Sequence, residues 1–124
     1  AGEPPSSKKR GKAINEVKLI DFGSACWAGQ PSHAYVQSRF YRAPEVLLGL
    51  PYDGAVDLWS LGCLAAELFL GLPLLPGASD HDQVLRIVET CGPPPAWMVA
   101  RGAHGPRFFV REPPGGGGGG GGGG

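Results

Sequence analysis

Apolar and polar positions alternate with a period that changes along the chain. From about Gly54 to Leu70 the run GAVDLWSLGCLAAELFL predicts one helix of about four to five turns, stopped by Gly71. That helix is apolar on almost every side, the pattern of a segment buried in a larger body. Ser60, Glu67 and the Gly71-x-Pro73 break argue against a bilayer span. Upstream, Val17-Lys18-Leu19-Ile20 alternates and predicts a short strand that ends at Asp21-Phe22-Gly23. Ser24 to Tyr41 follows neither period and carries Gly29, Pro31 and Ser32, so it reads as a long loop of the functional kind. Pro44-Glu45-Val46-Leu47-Leu48 predicts a brief helix with Pro in its first turn and Gly49 at its close. Ser79 caps a further helix, with Asp82 as the capping-box acid and Val84, Leu85, Ile87 and Val88 at helical spacing. Gly92 and Pro93-Pro94-Pro95 end it.

Composition narrows the part able to fold. Residues 1–16 are polar and read as a disordered loop or insertion. Residues 17–99 are rich in Leu, Val, Ala and Trp, and 100–124 read as a low-complexity Gly-rich tail. Eleven basic and eleven acidic residues are mixed through the chain, so charge offers no argument for a nucleic-acid or membrane partner. The cluster Lys8-Lys9-Arg10 reads as a solvated loop, with nuclear targeting or anion binding as the other reading. Cys26, Cys63 and Cys91 are odd in number and form no C-x-x-C pair, which suggests reduced thiols, and no apolar leader opens the sequence. The location implied is intracellular, cytoplasmic or nuclear.

Three blocks carry chemistry. Asp21-Phe22-Gly23 closes the strand, Ser38-Arg39-Phe40-Tyr41-Arg42-Ala43-Pro44-Glu45 follows the loop, and Asp57-Leu58-Trp59-Ser60-Leu61-Gly62 opens the long helix. In this order and spacing they resemble the segment of a eukaryotic protein kinase from its metal-binding strand to the helix beneath the activation loop. The stretches QSRFYRAPE and ELFLGLPLLPG resemble the CMGC group. DFGSAC with one Tyr before VQSRFYRAPE is similar to the dual-specificity tyrosine-regulated kinases, and LGLPLLPGAS to their Yak-type branch.

The resemblance implies a mainly α fold, a partial kinase C-lobe with one short β strand, and an ATP-dependent activity on Ser/Thr of protein substrates. The cofactors implied are ATP and Mg2+. Asp21 would hold the magnesium, Phe22 would join the hydrophobic stack between lobes, and Gly23 would let the loop pivot. Tyr35 would be the autophosphorylated activation-loop tyrosine, with Arg39 and Arg42 spaced to pair with its phosphate. Ser38 would lie near the catalytic aspartate, and Glu45 would pair with an arginine late in the domain, for which this chain shows no obvious candidate. Asp57 would accept hydrogen bonds from the catalytic-loop backbone, since a buried unpaired carboxylate is costly. Leu58, Trp59, Leu61, Leu64 and Leu68 read as core.

The sequence also departs from the family. It carries no Gly-rich phosphate loop, no strand lysine and no H-x-D-L-K-x-x-N catalytic loop, so no catalytic residue is expected in this chain and the remainder of the kinase domain is an implied partner. The catalytic Asp of relatives precedes the Asp-Phe-Gly block by about twenty residues, which here reaches the first residues. A chain starting inside a lengthened loop after the catalytic loop is the reading this suggests. His33 stands where relatives often have a first tyrosine. Two functions remain open: a fragment of an active kinase, or a non-catalytic kinase-like interaction fragment or pseudokinase remnant.

Overall fold

The computed structural model describes residues 16–30 and 33–112. Among them a 3-10 turn at Arg39–Tyr41 leads into α1 (Pro44–Leu48), α2 (Ala55–Leu70), α3 (Asp80–Cys91), α4 (Ala96–Arg101) and α5 (Gly105–Phe108).

Local sequence signals set these boundaries. Pro44 opens α1, where its missing N–H costs nothing, and Gly49 closes it at φ 72°. A side chain at Gly49 would also press on the His104 ring, 3.0 Å from where its Cβ would stand. The Asp53 carboxylate accepts from the Ala55 amide at 2.8 Å at the head of α2, and Gly71 at φ 79° ends that helix. At α3 the Ser79 hydroxyl accepts from the Asp82 amide (3.1 Å), and the Asp82 carboxylate reaches back to the Ala78 amide (2.8 Å). This is the predicted capping box with its return bond displaced by one residue. The Ala78 amide and the Arg86 guanidinium beside it hold the Asp82 carboxyl below its ordinary range.

Two small cores meet at α1. Leu47 joins Cys63, Leu75 and Ile87, with Tyr41, Trp59 and Val84 against them. Ala43 and Val46 join Val56, with Val36, Tyr52 and Trp59 alongside. Full burial of such a side chain is worth about 1.5–3 kcal/mol. Burial pushes the Cys63 thiol up, in keeping with an inert core position.

Three expectations require correction. Val17–Ile20 forms no strand: Val17 is 96% exposed and Leu19 81%, because no described segment pairs with their backbone. The stripe Leu58, Leu61, Leu64 and Leu68 is not core but open to solvent, as is Asp57 one turn before Leu61. Only the opposite face of α2, through Val56, Trp59 and Cys63, meets the rest of the fold. The tail expected from residue 100 onward is folded as far as α5. His104 N–H donates to Leu48 O (2.9 Å), Ala103 N–H to Gly49 O (3.4 Å), and buried Gly102 leaves no room for a Cβ beside the Leu48 carbonyl. The glycine run, residues 1–15 with the Lys8-Lys9-Arg10 cluster, and Pro31-Ser32 lie outside the described residues.

Candidate functional site

The loop before α1 and the first turn of α3 bring four charged or phenolic side chains together. The Tyr35 hydroxyl donates to the Asp80 carboxylate, 3.2 Å from Oδ1 and 3.3 Å from Oδ2, and accepts from Arg42 Nη1 at 2.7 Å. The Arg42 guanidinium also lies over the Tyr35 ring, 3.8 Å from its centroid. Arg42 is 4% exposed, yet fully occupied: Nε donates to Val36 O (2.9 Å), Nη2 to Gln37 O (2.7 Å), and Nη1 stands 3.3 Å from Asp80 Oδ1. Arg39 reaches the same carboxylate from the other side. Its Nη1 donates to Ala78 O (3.1 Å), while its Nε lies 3.5 Å from Asp80 Oδ1, shut off from solvent and without a hydrogen bond.

Both predicted arginines therefore converge where the Tyr35 hydroxyl points, Arg42 by direct contact and Arg39 through Asp80. Asp80 was not foreseen; in one dimension it is an ordinary acid in a helix's first turn. Gln37 was missed too. It holds φ 69°, a conformation costly for any residue but glycine, and its side chain fixes it there. Nε2 donates to Val56 O and Ser60 Oγ, both at 2.7 Å, and Oε1 accepts from the Ala43 amide at 2.9 Å. Ser60 Oγ in turn donates to Tyr41 O (2.8 Å), so the polar interruption noted in the long helix is a tether for the loop. The Tyr41 hydroxyl donates to the Glu67 carboxylate, which raises its pKa above the usual phenol value, with burial adding to the effect.

The remaining expected site residues stay apart. Ser38 is exposed and precedes the 3-10 turn, its carbonyl accepting from the Tyr41 amide. Glu45 forms no ion pair among the described residues, but it lines a cavity of about 630 Å3 with Tyr52, Asp53, Trp97 and Arg101. Arg101, which the sequence reading assigned to a tail, thus faces the same space as Glu45. Asp21, Phe22 and Gly23 are exposed, with Asp21 at φ 62°. Magnesium wants six oxygen ligands and takes one or two carboxylates alongside phosphate and water. Asp21 supplies one such oxygen donor, and the described residues gather no group of three metal-ligating side chains.

A loop tyrosine beside two arginines, a Pro-Glu helix after it and an Asp-Phe-Gly block before it are the parts of a kinase activation segment. The family model described as protein kinase domain matches residues 8–96, and the chain belongs to that family. Its relatives place it in the CMGC group of that family. It is 52% identical over 96 residues to the dual specificity protein kinase YAK1 of Saccharomyces cerevisiae, covering 77% of this chain and 12% of that protein. It is 56% identical over 93 residues to the serine/threonine-protein kinase ppk15 of Schizosaccharomyces pombe, covering 75% and 17%. With the human dual specificity tyrosine-phosphorylation-regulated kinase 4 it shares 50% over 98 residues, covering 79% and 19%. The chain spans less than a fifth of the length of each of these relatives.

Proposed function

We propose that this chain is the activation segment and adjoining C-lobe helices of a Ser/Thr protein kinase that phosphorylates its own Tyr35 while maturing. The intact protein transfers the γ-phosphoryl group of ATP to hydroxyls of protein substrates inside the cell. With the remainder of the catalytic domain in place, Asp21 would supply a carboxylate oxygen to a magnesium ion, which would offset the charge of ATP, and Phe22 would pack between the lobes. Asp57 and the Leu58–Leu68 stripe are then covered by the catalytic loop and its neighbours. Alone, the chain transfers no phosphate, because the groups that cradle ATP and accept the substrate proton lie elsewhere.

The observation that carries this reading is that Arg42 donates to the Tyr35 hydroxyl while Arg39 reaches the Asp80 carboxylate bonded to it. A phosphotyrosine bears nearly two negative charges, and charge-assisted pairs with guanidinium are worth roughly 1.5–3 kcal/mol each. That is enough to fix a loop with few packing contacts of its own. The uncovered α2 face supports the need for a larger body.

The test is to express the completed protein in a host without tyrosine kinases and map its phosphopeptides. Tyr35 should carry phosphate, Tyr35→Phe should lower Ser/Thr activity with ATP binding nearly unchanged, and Asp21→Asn should abolish both modifications. An unmodified Tyr35 alongside high Ser/Thr activity would remove the tyrosine-regulated reading. The competing reading, a non-catalytic interaction fragment, requires that the parent lack an H-x-D-L-K-x-x-N motif upstream.

A further inference from the structure

We infer that Asp80 is a built-in competitor for the phosphate site: in the unmodified chain its carboxylate occupies the two arginines, and a phosphoryl group on Tyr35 takes its place. The inference rests on the reading of Tyr35 as a modified residue, but not on which enzyme modifies it.

The geometry is specific. Both Asp80 oxygens lie against the Tyr35 hydroxyl, at 3.2 and 3.3 Å, and Oδ1 is shared by Arg42 (3.3 Å) and Arg39 (3.5 Å). A phosphoryl group attached to that hydroxyl would put its oxygens where the carboxylate stands, so two anions would contend for one pair of cations. The phosphate carries more charge and three acceptor oxygens, and its tether is already in the cluster. Asp80 is free to yield: it sits in the first turn of α3, its side chain is 27% exposed, and the Ser79–Asp82 cap that holds the helix does not use it.

One donor also awaits a better partner. Arg39 Nε is inaccessible to water and has no hydrogen bond in the unmodified chain. A buried unsatisfied donor costs free energy that a phosphate oxygen would recover. In the transfer itself the Tyr35 O–P bond forms as the β,γ bridge of ATP breaks. ADP leaves, and the phenolic proton passes to a base of the kinase or to solvent. The hydroxyl must first let go of Asp80, so the same carboxylate that competes with the product also holds the acceptor hydroxyl.

The experiment installs phosphotyrosine at position 35 of the full-length protein by genetic encoding, so that no autophosphorylation is needed, and follows its removal by a broad-specificity tyrosine phosphatase. Asp80→Asn removes the competing charge and should slow dephosphorylation about three- to tenfold, as expected for losing one nearby like charge at a partly exposed site. Asp80→Glu should keep the wild-type rate, and Arg42→Ala should be faster than wild type. A residue that merely supported α3 would speed the reaction when removed, not slow it. Asp80→Ser, which keeps a first-turn acceptor for the helix, repeats the test should the Asn variant fold poorly. Dephosphorylation of both variants at or above the wild-type rate would overturn the inference. The proposal and the autophosphorylation reading separate here, because the installed phosphate responds to Asp80 whether or not the protein makes that modification itself.

Discussion

Residues 16–30 and residues 36–50 belong to the same kinase segment, yet they differ in almost every physical respect. Every residue from Glu16 to Gln30 is exposed, including Leu19, Phe22 and Trp27, whereas Ala43, Val46, Leu47 and Leu48 are at most 3% exposed. Hydrophobicity does not separate the two regions. What separates them is whether the partners of each side chain lie in this chain. The later region finds Gln37, Ser60, Val56 and Asp80 within reach, while the earlier one finds, among the described residues, no strand to pair with and no lobe to pack under.

The comparison breaks first under hydrogen exchange. Amides of residues 17–27 should exchange at nearly unstructured rates, and those of 46–48 should be slower by two orders of magnitude or more, roughly the effect of a local opening free energy of about 3 kcal/mol. Equal rates in both regions would erase the distinction. Adding the rest of the catalytic domain should slow 17–27 and leave 46–48 little changed.

Next in size, Gln37→Ala should loosen the later region by about 2–3 kcal/mol, since it leaves the Ala43 amide without an acceptor and unties the loop from Val56 O and Ser60 Oγ while keeping the strained backbone. The readout is faster exchange at 39–48 in the completed protein. Gly77→Ala should cost about 1–3 kcal/mol, because its Cβ would stand 2.8 Å from the Gln83 backbone, and a drop in melting temperature would register it. Ser79→Ala should fray the start of α3 by roughly 1 kcal/mol, visible at the amides of residues 80–83.

The smallest effect is set by pH. The folded state lowers the Asp82 pKa, chiefly through the Ala78 amide and then through Arg86, so its contribution is fully present above the ordinary aspartate value. It disappears only as pH falls through the lower folded value. Acidification from pH 7 to about 5 should leave the α3 cap intact, and loosening should begin below about pH 4.

Legibility in the sequence followed the same divide. α1, α2 and α3 were readable because their signals are local: Pro44 and Gly49, the apolar run to Gly71, and Ser79 with Asp82. The family resemblance singled out Tyr35, Arg39 and Arg42; Arg42 lies on the Tyr35 hydroxyl and Arg39 on the neighbouring Asp80 carboxylate. The strand at Val17 and the burial of Leu61 and Leu64 were read from patterns that presuppose a neighbour, and the described residues contain none. Gln37 and Asp80 escaped because the bonds that tie Gln37 to α2 and Asp80 to Tyr35 span 19 and 45 residues. α4 and α5 escaped because Gly102 and Gly105, which the fold needs for close approach, resemble the start of the glycine run.

The docking of residues 102–105 on the end of α1 bears on where this protein can be shortened. Composition invites a cut after Val99, just where the glycines and prolines thicken. Such a cut would strip the amides of Ala103 and His104 from the carbonyls of Gly49 and Leu48, and take the His104 ring from beside Leu47 O. The damage would appear half the chain away, in the helix that joins both cores. A boundary after Glu112 spares that clasp and still discards the glycine run.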